Sequence, residues 1–381
     1  MLFPKNSFKG KRMHFIPMAK PDLSGNESRY VQECVKSGWI GFCEGEHSFV
    51  TKFEREFSRY CGAKYGISTS NGTCSLNLIF QALGIGKGSE VIVPDLTFIA
   101  AVSTVLYANA KPVLVDVDRE TGSIDPKKLE EKITRKTRAI VPVHLYGHPA
   151  DLDPIAEIAG KNNLAVIEDA AQAHGAEYKG KRAGSIGDYA SFSFYGNKLI
   201  TTGEGGMVLS DDRDFVEKAK LIRNQGMLPK KPYWHPVLGY NYRLSNIQAA
   251  IGLAQLERID KFLRIKRKIS RQYTELLEPV KGISLFYEKD WAKSSCWMYN
   301  ILIENDSISK KRQLIEAFKK NKIDFRPIFY PAHSMPPFRC DGEFPVSDEL
   351  SKKGLTLPTS IFLAESDLQR IADVIKSVVK K

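Results

Sequence analysis

Between residues 65 and 209 the chain repeats one pattern, a short apolar run followed by a longer stretch whose apolar residues recur at helical spacing. The apolar runs fall at 65–68, 91–94, 112–117, 139–144, 164–168, 190–194 and 206–209, and helical spacing covers 73–83, 98–109, 126–132 and 151–161. A strand wetted on one face alternates apolar and polar residues, whereas a strand covered on both faces reads as an unbroken apolar run. Seven such runs interleaved with helices imply an α/β fold around a mostly parallel, seven-stranded sheet. Two more helical stretches precede it, 24–36 and 46–60, the second opening near Glu46 and ending before Gly62.

The pattern stops near residue 245, and 381 residues exceed what one small core organises. The sequence therefore predicts a segment 1–21, a large domain over 22–245, and a linking helix with a smaller α+β domain over 246–381. The helix spans 244–277 and is stopped by Pro279. Strands are predicted near 283–286, 296–303 and 323–329, and helices near 308–320 and 365–379.

Composition narrows the class. Hydrophobic residues at 43% and charged residues at 26% suit a soluble globular protein. No secretory signal or membrane-spanning run is visible, which points to the cytoplasm. The six cysteines form no CxxC or Cys/His cluster, so no metal site is expected. The net charge of +12 admits nucleic acid, a membrane surface or an anionic small molecule. The basic runs, at 261–271 and 376–381, lack the interleaved aromatics of a strand-binding surface, and neither nucleic acid nor membrane is favoured as a partner.

The chemistry concentrates in 166–206, VIEDAAQAHGAEYKGKRAGSIGDYASFSFYGNKLITTGEGG. One apolar strand delivers Glu168 and Asp169 at its C-terminal end, the edge where ligands bind in open α/β sheets. A second, 190–194, ends just before Lys198 in a turn followed by glycines. Taken alone, Lys198 reads as a solvated loop lysine and Asp169 as a helix cap. Together they are what a pyridoxal 5'-phosphate (PLP) site requires: a lysine to hold the cofactor as a Schiff base, and a carboxylate to keep its pyridine nitrogen protonated. Upstream, SNGT places Gly72 and Thr73 at a helix N-terminus, where free N–H groups seat a phosphate, and Ser193 offers a hydroxyl to the same group.

The succession SNGT, PDLTF, EDAAQAHGA, FSFYGNK and GEGG resembles the DegT/DnrJ/EryC1/StrS sugar aminotransferases, which share the aspartate-aminotransferase-like PLP fold of type I. The likeness continues through HLYGHPADLDPI, YWHPVLGYNYRLSNIQAAIGLAQLERID, WMYNILI and RPIFYPAHSMPP, so it covers nearly the whole chain. Its later segments look most like the perosamine synthetases, which aminate carbon 4 of GDP-4-keto-6-deoxymannose. The resemblance implies Lys198 and Asp169 as catalytic residues. It puts Gln172 near the cofactor's ring hydroxyl, Phe98 on the ring face, and Gly72, Thr73 and Ser193 on the phosphate. Asn241 would reach the phosphate in a neighbouring subunit, since family homodimers share their sites. Arg243 would bind an anionic group, and Tyr330 and His333 would border the sugar. The implied partners are a nucleotide-diphosphate keto-sugar and L-glutamate as amino donor. Two departures stand out: WIGFCEG at 39–45, where perosamine synthetases show a Ser-Ser-Gln-Gly type of turn, and Gln225 in place of a frequent histidine. A UDP- or dTDP-linked sugar therefore stays open, as does a dehydratase of the same fold.

Overall fold

The computed structural model describes residues 14–304 and 307–379, so most of segment 1–21 and the last two lysines of the basic end lie outside the described residues. Helices α1 (Glu27–Ser37) and α2 (Phe49–Cys61) lead into β1 (Tyr65–Thr69), α3 (Gly72–Leu83), β2 (Glu90–Pro94), α4 (Ala100–Tyr107) and β3 (Lys111–Val115). After these come β4 (Thr137–Ile140), α5 (Leu152–Asn162), β5 (Ala165–Asp169), the short β6 (Glu177–Tyr178) and β7 (Lys181–Arg182), then β8 (Tyr189–Ser193), β9 (Gly206–Ser210) and α6 (Arg213–Arg223). Seven strands join in the order β1-β9-β8-β5-β4-β2-β3. Neighbours run parallel except at β9, which is antiparallel to β1 and β8.

Cover on both faces explains the unbroken apolar runs. Val208 belongs to one buried cluster with Leu78, Val102 and Val216 from α3, α4 and α6, while its neighbour Leu209 belongs to another with Phe53 and Phe57 from α2. Successive strand residues face opposite ways, so both must be apolar. Each such side chain contributes about 1.5–3 kcal/mol by leaving water.

Beyond the sheet, α7 (Asn246–Leu256) and α8 (Ile259–Leu277) lead to β10 (Ile283–Leu285), β11 (Ala292–Lys293), β12 (Tyr299–Ile303), α9 (Ser307–Lys320), β13 (Arg326–Pro327), α10 (Pro345–Lys353), β14 (Gly354–Leu357) and α11 (Glu365–Val379). Here β10-β12-β14-β13 form an antiparallel sheet, and β11 reaches back to pair with β6. No described helix is long and apolar enough to cross a membrane.

Several elements differ from the sequence reading. The helix predicted over 244–277 is two helices, broken at Glu257 and Arg258. Neither residue is a breaker. Tertiary contacts occupy the joint: Arg258 is ion-paired with Asp22, and Gln255 Nε2 donates to the Asp22 carbonyl (2.8 Å) and to Glu27 (2.6 Å). Helix α2 opens at Phe49, not near Glu46, because the Ser48 hydroxyl caps it, accepting from the N–H groups of Val50 and Thr51. The helix at 126–132 shrinks to two single 3₁₀ turns, and the strand at 323–329 to Arg326–Pro327. The reading did not anticipate α6, α10 or β14.

At the end of α6, Arg223 is 1% exposed. Its guanidinium donates to Glu54 (2.6 Å), to Glu44 (2.9 Å) and to the Ser68 carbonyl (3.2 Å). It thereby fastens α2, β1 and the departing segment 39–45 to one another. Removing one partner of a buried pair strands the other charge, at about 3–5 kcal/mol. Arg223→Ala should lose that much in a denaturant titration, and a loss below about 1 kcal/mol would mean the network is not a structural tie.

Candidate active site

Strand β5 ends in two adjacent carboxylates that do different work. Glu168 accepts from the N–H groups of Gly184 and Ile186 (2.8 Å each) and Gly187 (2.7 Å), and from His144 Nε2 (2.8 Å). Because Ala150 N–H donates to His144 Nδ1 (3.0 Å), the imidazole proton sits on Nε2 and points at Glu168. Burial pushes the Glu168 carboxyl up, but these donors outweigh it and hold the group below its usual range. Glu168 clamps the 184–187 loop to the strand. Asp169, in contrast, is 6% exposed and its carboxylate takes one hydrogen bond among the described residues, from Ala171 N–H (3.1 Å). Burial raises its pKa against the opposing pull of Ala171 N–H and Lys198. It is a buried acid short of a cation.

Lys198 follows β8 in a loop closed by Lys198 N–H donating to the Tyr195 carbonyl and Thr202 N–H to the Phe194 carbonyl (2.9 Å each). Burial lowers its pKa from 10.5 to about 8, with Asp169 opposing the fall. Its Nζ lies 4.0 Å from the centroid of the Trp297 ring. Both Lys198 and Asp169 line one cavity of about 820 Å³ between the two sheets.

The other end of that cavity is the start of α3. Asn71 caps the helix by accepting from Cys74 N–H (2.9 Å). The N–H groups of Gly72 and Thr73, at the first two helical positions, have no acceptor within the helix. A Cβ at Gly72 would stand 2.8 Å from Ser193 Cβ, so only glycine lets the helix start press against the end of β8. Gly206 is equally constrained: its Cβ would lie 2.5 Å from the Asn71 carbonyl oxygen.

Gln172, Phe98, Ser193 and Tyr330 also line the cavity. Gln172 accepts Tyr146 N–H on its side-chain oxygen (2.7 Å), which leaves its amide nitrogen as the donor end. Asn241, Arg243 and His333 are not among the lining residues of this chain's cavity. Arg243 donates to Asn241 and to Asn224 (3.0 Å each). His333 is committed to Asp95, donating from its backbone (2.8 Å) and bonding through Nδ1 (2.7 Å), and it stacks on Phe344. Tyr146 and Trp297 are among the lining residues outside the residue-by-residue reading. Tyr146 has a left-handed φ of 55° and stacks on Phe329. Neither the φ nor the stack leaves a mark in the local sequence.

These features fit PLP. A phosphate can rest at the start of α3, a basic ring nitrogen can supply the cation that Asp169 lacks, and half-buried Lys198, lowered to about 8, can carry a neutral amine.

The sequence model of the DegT/DnrJ/EryC1/StrS aminotransferase family matches residues 21–376. A GDP-perosamine synthase of Caulobacter vibrioides is 44% identical, over 96% of this chain and 98% of its own. One of Escherichia coli O157:H7 is 41% identical, over 95% and 98%. Among solved structures, S. venezuelae DesV aligns with TM-score 0.87 at 31% identity, covering 93% of this chain and 95% of its own. The PLP form of the putative sugar aminotransferase Spr1654 of Streptococcus pneumoniae aligns with TM-score 0.91 at 27% identity, over 96% and 99%.

Proposed function

The chain belongs to the DegT/DnrJ/EryC1/StrS aminotransferase family and is a PLP-dependent aminotransferase; on that premise we propose that it transfers the amino group of L-glutamate to carbon 4 of GDP-4-keto-6-deoxymannose, giving GDP-perosamine. The observation that carries the chemistry is the single cavity holding Lys198, Asp169 and the free N-terminus of α3. Relatives named GDP-perosamine synthase, matching almost end to end, support the choice of sugar.

Bound here, PLP supplies an electron sink that accepts the electrons left when a proton leaves the carbon bearing the amino group. Asp169 keeps the ring nitrogen protonated, because a buried carboxylate gains most from an adjacent cation. Gly72 and Thr73 N–H and the Ser193 hydroxyl hold the phosphate, Gln172 donates to the ring hydroxyl, and Phe98 covers the ring face. Lys198 Nζ takes the proton from the α-carbon of glutamate and, in the second half of the cycle, delivers one to carbon 4 of the sugar. A pKa of about 8 gives it a usable neutral fraction at neutral pH. Tyr330 borders the sugar.

The active unit is a homodimer with shared sites. Asn241 reaches the phosphate in the neighbouring subunit, and Arg243 binds an anionic group of the substrate. Tyr233 and Leu238, 89% and 86% exposed, lie on the same stretch of chain, and large apolar side chains left so open mark an association surface. A monomeric mass in sedimentation would refute this part.

Purified protein given L-glutamate and GDP-4-keto-6-deoxymannose should yield a product with one amine in place of the keto oxygen, and 2-oxoglutarate mole for mole. Turnover confined to a UDP- or dTDP-linked keto-sugar would change the nucleotide. Loss of a hydroxyl without gain of nitrogen would make the protein a dehydratase.

A further inference from the structure

Trp297, just before β12 of the small antiparallel sheet, lines the catalytic cavity. Trp297 is 5% exposed, and its indole face sits under Lys198 Nζ, 4.0 Å from the ring centroid. Its Nε1–H donates to the carbonyl of Asn197, the residue preceding the lysine (2.8 Å). The backbone of Trp297 is fixed in turn. Its carbonyl accepts from Lys266 Nζ on α8 (2.9 Å) and from Thr359 Oγ1 (2.8 Å), and these two groups bond each other at 2.9 Å. Tyr146, whose N–H orients Gln172, lies roughly parallel to the indole at 6.4 Å.

We infer that Trp297 is a positioning residue for Lys198, its indole face holding the ε-ammonium whenever the lysine is free and its N–H fixing the loop that carries it. The inference rests on the lysine's proposed role in transamination and deepens it. A lysine that alternates between holding the cofactor and moving protons needs a defined resting place each time it is released. A solvated resting place would let the side chain sample many rotamers, which a buried aromatic face restricts. The attraction is electrostatic, between the cation and the electron-rich face, and it favours the protonated amine. It thus works in the same direction as Asp169 and against burial, the two groups named above as setting the lysine's pKa. His174 also lies near the lysine; burial foremost, and then the charge of Lys198, hold its imidazole neutral with a pKa of about 3. Lys266, buried and lowered to about 7, does not line the cavity and acts on the lysine through the Trp297 carbonyl.

The test reads the free amine directly. Full-length protein prepared without cofactor is treated with an amine-acylating reagent across pH, and acylation of Lys198 is followed by peptide mass. Trp297→Leu removes both the ring face and the N–H, and the midpoint of Lys198 reactivity should fall by roughly 0.5–1 pH unit. Trp297→Phe keeps an aromatic face and loses only the N–H, so most of the midpoint should survive while the loop loosens. With cofactor and substrates present, Trp297→Phe should lower kcat several-fold with little change in the KM for the sugar. A midpoint that stays or rises in Trp297→Leu, in protein whose circular dichroism matches the parent, overturns the inference. So does a Phe variant that shifts as far as the Leu variant. Because the acylation needs no turnover, its outcome stands even if the parent proves not to be a transaminase, and failure of the sugar assay alone would strike only the functional reading.

Discussion

Lys198→Ala should abolish the visible absorption that bound PLP gives the protein and lower transamination by about 10⁴-fold or more. General acid–base catalysis by one side chain is worth about 10²–10⁴ in rate, and the same amine is proposed to anchor the cofactor, so both contributions should go together. Little stability should be lost, because Lys198 Nζ makes no hydrogen bond or ion pair among the described residues. The parent enzyme carries a matching pH signature. Burial depresses the lysine to about 8, and only its neutral form accepts a proton. The proton-removal step should therefore speed up about tenfold per unit as pH rises toward 8 and flatten above it. Stopped-flow measurement of the glutamate half-reaction reads both effects. A variant retaining even a tenth of the parent rate would transfer the base role to another residue.

Asp169→Asn is the second large effect. Asparagine matches the shape and keeps an acceptor for Ala171 N–H, but it offers no charge to a protonated ring. Losing one member of a buried charge pair costs about 3–5 kcal/mol. If that loss falls on the chemical step, turnover drops roughly 10²–10⁴-fold. Cofactor affinity should suffer less, since the proposed phosphate seat at Gly72 and Thr73 is untouched. An Asp169→Asn variant as fast as the parent would mean that the ring proton is held elsewhere, and Asp169 would return to being a cap for the turn that follows β5.

How much of this was legible in the sequence depends on how local each feature is. The α/β sheet was legible because burial on both faces writes itself into every strand as an unbroken apolar run. Lys198, Asp169, Gly72, Thr73, Ser193 and Gln172 share one cavity because each stands at or just past the C-terminal end of a sheet strand, or opens the helix that follows one. Strand ends can be read from sequence, and so can the glycines that keep them crowded. Helix α6 is equally legible, with Asp212 capping an amphipathic run. The joint between α7 and α8 was not readable, because contacts from Asp22 and Glu27, far away in the chain, hold it without any local breaker. Trp297 and Tyr146 were hidden for the same reason. They enter the cavity from a different sheet and a loop, and only the pairing of distant elements brings them beside Lys198. His333 shows the converse. The resemblance put it beside the sugar, whereas the buried carboxylate of Asp95 engages the imidazole, which is not among the lining of this chain's cavity.

The central claim is covalent, and peptide mapping tests it most directly. Protein loaded with PLP, reduced with borohydride and digested should carry the reduced cofactor on the peptide containing Lys198 and no other. Lys266 is the strongest competitor on chemical grounds, being buried with a pKa of about 7, but its amine is already bonded to Trp297 and Thr359. Label on the Lys266 peptide, or none at all, would contradict the account.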